Sequence, residues 1–453
     1  MCIRILKNHF QSEIGYKMTN RVLITGIGLA TPIGIGNKEV FDALCLGRIN
    51  MQVVSFGEGE KKKDFVVGKV PLTPGNFFDY YEKFEHPKDE KEETPITKTE
   101  LRRSDRVDHL SIIAGLYAVQ DAGFDIRREG DVGLVTGCGM GGVESLEEGH
   151  KRTLVDGKGP GPFYVPKVMP NSICFWLARE FGLDGPSFNV STACASGAHA
   201  GGLAYNLVKS GICKTVLFGG AEAALTRNGL EGFLDCRAIS RRLSEPNRAS
   251  RPFDKDRDGF VPSEGAGFVV LESERHYKER DGKGAYAEIV GFGMSTDRGK
   301  HVTQPNPETM KLALQRAFPI WSEFKDIDYI NAHGTSTPIN DAVEIKVYKE
   351  FFGGHAESIL INSTKSMLGH SLGAAGAIEA AVTAMSVRYG RVHSTLNLEN
   401  LDTECLGMRH ITRVIEEPIK TAMSSSFAFG GHNAVLVMER YTDKDKEYAG
   451  ASL

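Results

Sequence analysis

Short apolar runs alternate along the chain with longer segments of mixed polarity. The runs are rich in β-branched and aromatic residues, and several end in glycines, which is typical of buried strands. They lie at residues 21–28, 132–136, 186–190, 214–222, 267–272 and 285–294. Helices are predicted between them, at residues 37–46, 102–122, 195–207 and 276–280. This alternation predicts an α/β fold in which the strands run in mixed directions.

The second half of the chain echoes the first. Residues 285–294 repeat the strand-then-glycine pattern of residues 21–28, and the Gly- and Ala-rich residues 366–384 mirror the helix that begins near residue 195. Because no Gly/Ser-rich or Pro-rich linker separates them, the sequence predicts two α/β halves in one compact body. The predicted units are an N-terminal extension at 1–20, a first half at 21–282, a second half at 283–441 and a C-terminal tail at 442–453.

The segment from residue 57 to residue 100 departs from this pattern. It is highly charged and interrupted by prolines, with three lysines at 61–63 and a charged run at 87–93. We therefore expect exposed loops rather than core in this segment. The arginines that follow it open a helix that is predicted to be amphipathic and to run to Ala122.

Composition narrows the class of protein. The chain has 453 residues, 25% of them charged, and a formal net charge of −4, which argues against a general nucleic-acid binder. Its eight cysteines include no CxxC pair, which favours a reducing compartment over a disulfide framework or a zinc site. No apolar run approaches the roughly 20 residues that cross a bilayer. Residues 1–17 have too short an apolar run for a secretory signal. They fit an over-extended start before Met18 better than the alternative, a weak targeting segment, and we expect a cytoplasmic protein.

Cys194 lies where an apolar run gives way to small residues. Residues 195–202 are almost all Ala, Ser and Gly, so we expect a deeply buried helix that packs closely against backbone. At the first turn of such a helix, a cysteine meets unpaired backbone N–H groups and the positive end of the helix dipole. Both favour the nucleophilic thiolate. The alternative is that Cys194 is simply a small buried apolar residue.

Two further segments weaken the apolar alternative. Residues 330–338 place His333 among small hydroxyl residues in a strand-end loop, and residues 362–370 place Lys365 and His370 just before the second Gly- and Ala-rich helix. Each histidine alone fits a hydrogen-bonded structural role. Together with a nucleophilic thiol they indicate an active site, because backbone can approach a substrate closely in glycine-rich strand-end loops.

Four separated motifs carry a resemblance to a known family. They are Thr-Ala-Cys-x-Ser-Gly at 192–197, His-Gly-Thr-Ser-Thr-Pro at 333–338, Ser-Thr-Lys-Ser-x-x-Gly-His at 363–370 and Phe-x-Phe-Gly-Gly-x-Asn at 427–433. The chain resembles the β-ketoacyl-[acyl-carrier-protein] synthases of the type II condensing class, within the thiolase superfamily, from about residue 21 to residue 441. This resemblance implies duplicated thiolase-like α/β halves that form a layered α-β-α-β-α body.

The resemblance implies a decarboxylative condensation that elongates an acyl chain by two carbons. Cys194 would take the acyl chain from a carrier-protein thioester. His333 and His370 would hold the negative charge that develops when malonyl-carrier protein loses carbon dioxide. The backbone N–H groups of Cys194 and Phe429 would form the oxyanion hole. The resemblance implies no cofactor and no metal, because the substrates arrive on the phosphopantetheine of acyl carrier protein.

Supporting roles follow from the same resemblance. Lys365 would act with Glu344 and Glu379 to organise the histidines, and its charge would help to keep both rings neutral. Phe429 would be a gate that admits the second substrate only after acylation. Contacts to the pantetheine or the acyl chain are implied for Thr303, Thr335, Thr337, Phe233 and Met140. The threonines also fit ordinary turn chemistry, and Met140 also fits a place in the core.

The implied partner, acyl carrier protein, is small and acidic, so docking it needs a basic rim on the enzyme. The candidate docking residues are Arg102, Arg103, Arg106, Arg237, Arg241 and Arg242. The first three match the family only loosely, because the segment 57–100 is longer than relatives usually carry there. A homodimer is a further expectation of the family, and we expect neither nucleic acid nor a membrane as a partner.

Other members of the superfamily fit the motifs less well. A thiolase needs a second reactive cysteine near the C-terminus, and none follows Cys405. The initiating condensing enzymes use a Cys-His-Asn set, which disagrees with the motif at 363–370. A non-catalytic chain-length subunit lacks the cysteine that is present here as Cys194. A ketosynthase of a specialised polyketide or modified-lipid pathway stays open, and the long 57–100 segment favours it.

Overall fold

The computed structural model describes residues 20–84, 95–299, 301–318 and 327–443. The expectations for residues 1–17, for the charged run at 87–93 and for the tail beyond residue 443 lie outside the described residues. Across the described ranges, no helix has both the length and the apolar character needed to cross a membrane.

A mixed sheet of twelve strands lies at the centre of the described chain. The described strands are β1 (Val22–Thr31), β2 (Gly34–Ile35), β3 (Met51–Phe56), β4 (Lys63–Gly68), β5 (Gly133–Gly137), β6 (Ser187–Val190), β7 (Thr215–Glu222), β8 (Gly265–Ser273), β9 (Ala287–Thr296), β10 (Tyr329–Asn331), β11 (Leu360–Asn362), β12 (Arg391–Val392), β13 (Arg409–His410), β14 (Ile415–Glu416), β15 (Thr421–Ala428) and β16 (His432–Glu439). The order in the main sheet is β13-β11-β10-β15-β16-β9-β1-β8-β7-β5-β6, with β2 paired to β1. The pairs β3–β4 and β12–β14 form two small separate sheets.

Strand direction changes from the middle of the main sheet to its ends. The strands β16, β9, β1 and β8 pair in antiparallel fashion. At one end β5 pairs in parallel with both β6 and β7, and at the other β10 pairs in parallel with both β11 and β15. Parallel neighbours need crossover connections, and the helices of the chain supply them. The predicted α/β fold with mixed strand directions is confirmed.

Two helices rich in small residues, α8 (Ser196–Lys209) and α14 (Ala375–Tyr389), pack against each other and against strands of the main sheet. The described helices are α1 (Asn37–Cys45), α2 (Phe77–Tyr81), α3 (Lys98–Leu101), α4 (Arg106–Ala122), α5 (Val143–Leu154), α6 (Tyr164–Val168), α7 (Ser172–Phe181), α8 (Ser196–Lys209), α9 (Arg227–Asp235), α10 (Glu274–Glu279), α11 (Pro307–Ala317), α12 (Pro338–Phe352), α13 (Lys365–Leu368) and α14 (Ala375–Tyr389). A Cβ atom added to Gly197 on α8 would lie 2.7 Å from the backbone nitrogen of Ala377 on α14. The close approach that the small residues predicted is therefore present.

Two predicted helices have different bounds in the structure. The helix predicted at 102–122 begins at Arg106, because the Asp105 side chain accepts the Val107 N–H and caps it. It is also buried on almost every side rather than amphipathic. The helix predicted within 366–384 is split into α13 and α14, since Gly369 between them has a φ of 71°.

The 57–100 segment contributes to the core, so the expectation of exposed loops is wrong for much of it. Strands β3 and β4 form a hairpin with the three lysines at and beside its turn. Phe65 and Val67 on β4 are buried, as are Phe77 and Tyr81 on α2. The charged side chains occupy the turn while apolar side chains between them face inward, a pattern that the high charge of the segment concealed.

Candidate active site

Cys194 lies on a sharp turn between a strand and a helix. Strand β6 ends at Val190, helix α8 begins at Ser196, and the backbone of Ala193 between them has a φ of 50°. The Thr192 N–H donates to Ser196 Oγ at 2.9 Å, and this hydroxyl donates to the Ala193 carbonyl at 2.7 Å. A left-handed conformation costs a non-glycine residue about 1–2 kcal/mol. These two hydrogen bonds hold that conformation beside the thiol.

Burial dominates the acidity of the Cys194 thiol. The residue is 9% exposed, and burial raises the pKa of the thiol to about 12, although the charge of Lys365 and the backbone N–H groups of Phe429 and Cys194 lower it. The expected effect of backbone N–H groups is present in direction, but burial outweighs it, so the expected thiolate is not favoured in the free protein. Cys194 precedes the helix by two residues.

His333 and His370 lie side by side and are both buried. Their ring centroids are 5.4 Å apart and their planes are nearly perpendicular. Lys365 Nζ lies 3.4 Å from His333 Nδ1, and the Leu372 N–H donates to His370 Nδ1 at 3.3 Å. Because each Nδ1 atom faces a donor, each ring carries its hydrogen on Nε2. Burial, with the charge of Lys365, holds the pKa of both rings well below 6.5, so both are neutral at neutral pH.

Two buried carboxylates hold the lysine and the His333 loop in place. The Lys365 ammonium pairs with the Glu379 carboxylate and donates to the His333 carbonyl at 2.7 Å. Burial raises the pKa of Glu379 to about 7, and the lysine charge opposes that rise. Glu344 on α12 accepts the backbone N–H groups of His333 and Gly334 at 2.7 and 2.8 Å. Lys365 and Glu344 thus contact the His333 loop directly, and Glu379 acts on it through the lysine.

One cavity of about 230 Å³ contains the thiol and both imidazoles. Its wall also includes the predicted substrate-contacting residues Phe233, Thr303, Thr335, Thr337 and Phe429. The hydroxyl oxygens of Thr335 and Thr337 are 2.9 Å apart. The structure therefore brings these predicted residues together around Cys194, His333 and His370.

Met140 does not lie on the wall of this cavity. It follows strand β5 in a loop, its side chain is 39% exposed, and its backbone N–H donates to Glu222 at 3.0 Å.

The six candidate docking arginines differ in exposure. Arg106 is buried, its Nε donates to Glu264 at 2.7 Å, and its Nη1 donates to the Leu72 carbonyl at 2.7 Å. Its assignment to a docking surface is wrong, because it joins helix α4 to the segment that precedes it. Arg237 is exposed and lines the cavity. Arg102, Arg103 and Arg241 are also exposed, and Arg242 is half-buried.

Two residues of the site carried no sequence prediction. Phe260 lies edge-on to His370 with ring centroids 5.1 Å apart. Glu222 ends strand β7, is fully buried, and accepts the backbone N–H groups of Gly139 and Gly373. The available signal for Glu222 was a charged residue that closes an apolar strand, since glutamates are almost never fully buried without partners.

Comparison with known families places both parts of the chain. The family model described as "Beta-ketoacyl synthase, N-terminal domain" matches residues 19–276, and that described as "Beta-ketoacyl synthase, C-terminal domain" matches residues 286–399.

Individual relatives agree with the family models. The chain is 38% identical to the 3-oxoacyl-[acyl-carrier-protein] synthase 2 of Vibrio cholerae, over 93% of this chain and 99% of that protein. A β-ketoacyl synthase from Burkholderia phymatum superposes with a TM-score of 0.81 at 32% identity, over 93% of this chain and 100% of that one. A type II polyketide ketosynthase in complex with its acyl-carrier protein, and bound to the hexaketide, gives a TM-score of 0.78 at 27% identity, over 94% and 100% of the two chains. The protein with Cys194, His333 and His370 in one cavity is a member of the β-ketoacyl synthase family.

Proposed function

We propose that this protein is a 3-oxoacyl-[acyl-carrier-protein] synthase, which condenses malonyl-acyl carrier protein with an acyl chain held on Cys194. The observation that carries this proposal is the meeting of a buried thiol and two Nε2-protonated imidazoles in one cavity. The name and 38% identity of the Vibrio cholerae relative support it. The substrates bring their own phosphopantetheine, so the proposed reaction needs neither a resident cofactor nor a metal.

Acyl transfer to Cys194 is the first half-reaction. A bond forms between Sγ and the acyl carbonyl carbon, the bond from that carbon to the phosphopantetheine sulfur breaks, and the thiol proton ends on the departing phosphopantetheine thiol. The carbonyl oxygen becomes negative during the transfer and accepts hydrogen bonds from the backbone N–H groups of Cys194 and Phe429. Support comes from the thiol itself, because both N–H groups approach Sγ closely enough to lower its pKa.

Decarboxylation and condensation form the second half-reaction. The bond between the malonyl carboxylate and the α-carbon breaks, carbon dioxide leaves, and the electron pair moves into a thioester enolate. His333 and His370 donate their Nε2 hydrogens to the enolate oxygen. The enolate carbon then bonds to the acyl carbonyl carbon, the electron pair of the broken thioester bond returns to Sγ of Cys194, and the sulfur takes up one proton from water. Neutral rings suit this role because Nε2–H can donate a hydrogen bond to the oxygen while Nδ1 accepts from Lys365 or from the Leu372 N–H, and no proton is transferred.

Lys365, Glu344 and Glu379 are proposed as positioning residues for the histidines. The lysine contacts the Nδ1 atom and the carbonyl of His333, and its charge opposes protonation of both rings. Glu379 holds the lysine, and Glu344 holds the backbone of the His333 loop. None of the three is assigned a proton transfer.

The outer wall of the cavity is proposed to bind the pantetheine arm. Thr303, Thr335 and Thr337 supply hydroxyl groups, and Phe233 supplies an aromatic surface. Met140 lies outside this cavity, in the loop after β5, and is proposed from the family resemblance to limit the length of the acyl chain.

Phe429 is proposed as a gate between the two half-reactions. It precedes two glycines, Gly430 and Gly431, with φ values of 77° and 74°, where backbone rotation meets little steric resistance. The Gly430 N–H donates to the Val302 carbonyl at 2.8 Å, which joins the gate to the loop of Thr303. A rotation at the glycines would therefore move both sides of the cavity entrance.

Acyl carrier protein is the proposed partner. The ketosynthase solved with its own acyl-carrier protein supports this assignment. The proposed docking residues are the arginines that are not fully buried, namely Arg102, Arg103, Arg237, Arg241 and Arg242. An acidic partner would be steered to them by charge.

Further organisation is proposed on the same basis. We assign residues 21–282 and 283–441 to two thiolase-like halves, which the family matches at 19–276 and 286–399 support. We assign the protein to the cytoplasm and expect a homodimer. Strand β6 supports a dimer, because it is the outermost strand at one end of the described sheet and its Phe188 is 38% exposed.

A ketosynthase of a specialised pathway is the second candidate. The superposition on a polyketide ketosynthase, with a TM-score of 0.78 at 27% identity, keeps it open, because one fold can carry both functions. The two candidates differ in the acyl chain that Cys194 accepts.

Intact-mass spectrometry tests both candidates in one experiment. The protein is mixed with acyl-carrier-protein thioesters of increasing chain length, with Cys194→Ser as the matched control. Mass gain from medium and long saturated chains, absent in the control, is the result expected for fatty-acid elongation. Folded protein that accepts none of these chains would overturn elongation and favour the specialised pathway.

A further inference from the structure

Glu222 is a buried carboxylate beneath the active site that the proposed mechanism does not use. It ends strand β7 and is 0% exposed. Its Oε2 accepts the N–H groups of Gly139 at 2.8 Å and Gly373 at 3.1 Å, and its Oε1 accepts the N–H of Met140 at 3.0 Å. The Cys138 thiol approaches Oε1 at 3.5 Å. Four donors from two distant parts of the chain thus converge on one side chain.

The two loops that Glu222 joins have glycines where they approach its carboxylate. A Cβ atom on Gly139 would lie 2.8 Å from Oε2, and a Cβ atom on Gly373 would lie 2.6 Å from the same oxygen. The Cβ on Gly373 would also lie 2.5 Å from the Gly139 nitrogen. A side chain at either position would require the carboxylate or the neighbouring backbone to shift. The contact therefore holds the Gly373 loop closely against the Gly139 loop.

The Gly373 loop also orients one of the two imidazoles. Leu372, which directly precedes Gly373, has a φ of 46° and donates its N–H to His370 Nδ1. That hydrogen bond places the ring proton on Nε2 and fixes the direction of the ring. Because Glu222 accepts the N–H of Gly373, it also restrains the adjacent peptide group, whose N–H, from Leu372, orients the His370 ring.

We propose that Glu222 is a positioning residue for decarboxylation, acting on His370 through the Gly373 turn. The proposal rests on the function proposed above for His370, and it assigns to Glu222 a role that no sequence motif indicated. Removing the carboxylate frees the Gly373 and Leu372 N–H groups to move, and a shift of about 1 Å in a catalytic group costs on the order of 100-fold in rate.

The charge of Glu222 also affects the acidity of Cys194. Burial raises the pKa of its carboxyl group, while the N–H donors of Gly139, Met140 and Gly373 lower it. Where it is ionised, the carboxylate raises the pKa of the Cys194 thiol. Loss of the charge makes Cys194 easier to ionise, and loss of the hydrogen bonds loosens the turn that carries His370, so decarboxylation is expected to fall while acylation is not.

The test compares Glu222→Gln with Glu272→Gln. Glu272 is also 0% exposed and lies at the opposite end of the β7–β8 pair, where Thr215 pairs with Glu272 and Glu222 pairs with Gly265. The control therefore removes a buried carboxylate from the neighbouring strand without touching the site. Two rates are measured for each folded protein: malonyl-thioester decarboxylation and single-turnover acylation of Cys194.

We expect Glu222→Gln to lower decarboxylation at least about tenfold while acylation stays within about threefold of wild type, and we expect both rates to stay near wild type in Glu272→Gln. Unchanged decarboxylation, or an equal loss of both rates, would overturn the proposal. If Glu222→Gln does not fold, Glu222→Asp, which keeps the charge but withdraws it by one methylene, is expected to give the same split.

A readout without substrate separates this proposal from the proposed function. In protein labelled with ¹⁵N-histidine, the His370 signals are identified by their loss in His370→Asn. We expect the Nδ1 signal of His370 to move in Glu222→Gln and not in Glu272→Gln. An unmoved signal contradicts the positioning role even where wild-type protein decarboxylates malonyl thioesters. Wild-type protein that does not decarboxylate them contradicts the proposed function instead.

Discussion

At the scale of single residues, the groups assigned to the chemistry, Cys194, His333 and His370, form a set whose charge is suppressed by burial beside the charged Lys365. Burial raises the pKa of the Cys194 thiol and lowers the pKa of His333 and His370. The thiol therefore stays protonated, and both rings stay neutral donors. The two half-reactions use different members of this set, so single substitutions are expected to separate them.

Replacing the nucleophile is expected to leave one half-reaction intact. In Cys194→Ala no acyl-enzyme forms, so condensation falls to background, whereas malonyl decarboxylation persists because both histidines remain. Carbon dioxide release and 3-oxoacyl product are measured in parallel. Condensation at the wild-type rate in this variant would contradict the assignment of Cys194.

Replacing a histidine is expected to have the opposite effect. His370→Ala removes one donor from the enolate oxygen, and loss of such a donor lowers the rate by about 100- to 1,000-fold. Acylation of Cys194, followed by mass spectrometry, is expected to change little. A decarboxylation rate within threefold of wild type would show that His370 does not carry this charge.

The pH profile of decarboxylation follows from the same histidines. Their pKa values lie well below 6.5, so both rings stay neutral as the pH falls through 6.5. The rate is measured in Cys194→Ala combined with Glu379→Gln, because the pKa of Glu379 is about 7 and this carboxyl group would titrate in the same range. In that variant the rate is expected to stay flat from about pH 8 to about pH 6, where a histidine of ordinary pKa already loses most of its neutral form. A decline with its midpoint near 6.5 would contradict this. The pKa of both rings is lower in the folded protein than in the unfolded chain, so the rings favour the folded state above pH 6.5. This contribution to stability is lost as the pH falls towards the folded-state pKa.

At the scale of elements, the packing of helices α8 and α14 places the nucleophile. A Cβ atom on Gly376 would lie 2.6 Å from the Ala198 nitrogen and 2.8 Å from the Ala198 Cβ. The helices therefore touch through backbone, and the turn that carries Cys194 is pressed against α14.

A single methyl group is expected to disturb this contact. Gly376→Ala forces the helices apart and is expected to lower the free energy of unfolding by about 1–3 kcal/mol. Gly232→Ala on α9, where an added Cβ meets nothing within 4 Å, is the matched control and is expected to be neutral or stabilising by up to about 1 kcal/mol. Denaturant unfolding measures both. Equal stability of the two variants would contradict the tight packing.

Sequence reasoning predicted which helices and strands are present better than where they are interrupted. The run of small residues after Cys194 predicted helix α8, because small size and burial are both readable from composition. The split between α13 and α14 was missed, because it depends on the φ of Gly369, a backbone angle that the sequence does not show. The acidity of Cys194 was predicted in the wrong direction, because helix position is readable from sequence and the exclusion of water from a folded cavity is not.

At the scale of the whole molecule, a chain with a net charge of −4 is proposed to bind an acidic partner through local arginines. Four of the five proposed docking arginines are exposed, and Arg237 also lines the cavity. Residue type alone did not separate them from Arg106, which is buried against Glu264. Surface position had to come from the fold.

Charge reversal is expected to affect the partner and not the chemistry. Arg102→Glu combined with Arg241→Glu is expected to lower kcat/KM for acyl-carrier-protein substrates about tenfold or more at low salt, with a smaller effect at high salt. Activity with short pantetheine thioesters is expected to stay unchanged. Arg275→Glu, on the exposed face of α10, is the control. An equal loss with both substrate types would contradict docking.

The buried, protonated nucleophile bears on how the protein withstands oxidants. Peroxides react with thiolates, and oxidation beyond the sulfenic acid is irreversible for most proteins. Because burial raises the pKa of the Cys194 thiol far above 7, the thiol is almost entirely protonated at neutral pH. Between turnovers the sulfur is therefore expected to react with peroxide more slowly than the sulfur of a cysteine enzyme that keeps a standing thiolate.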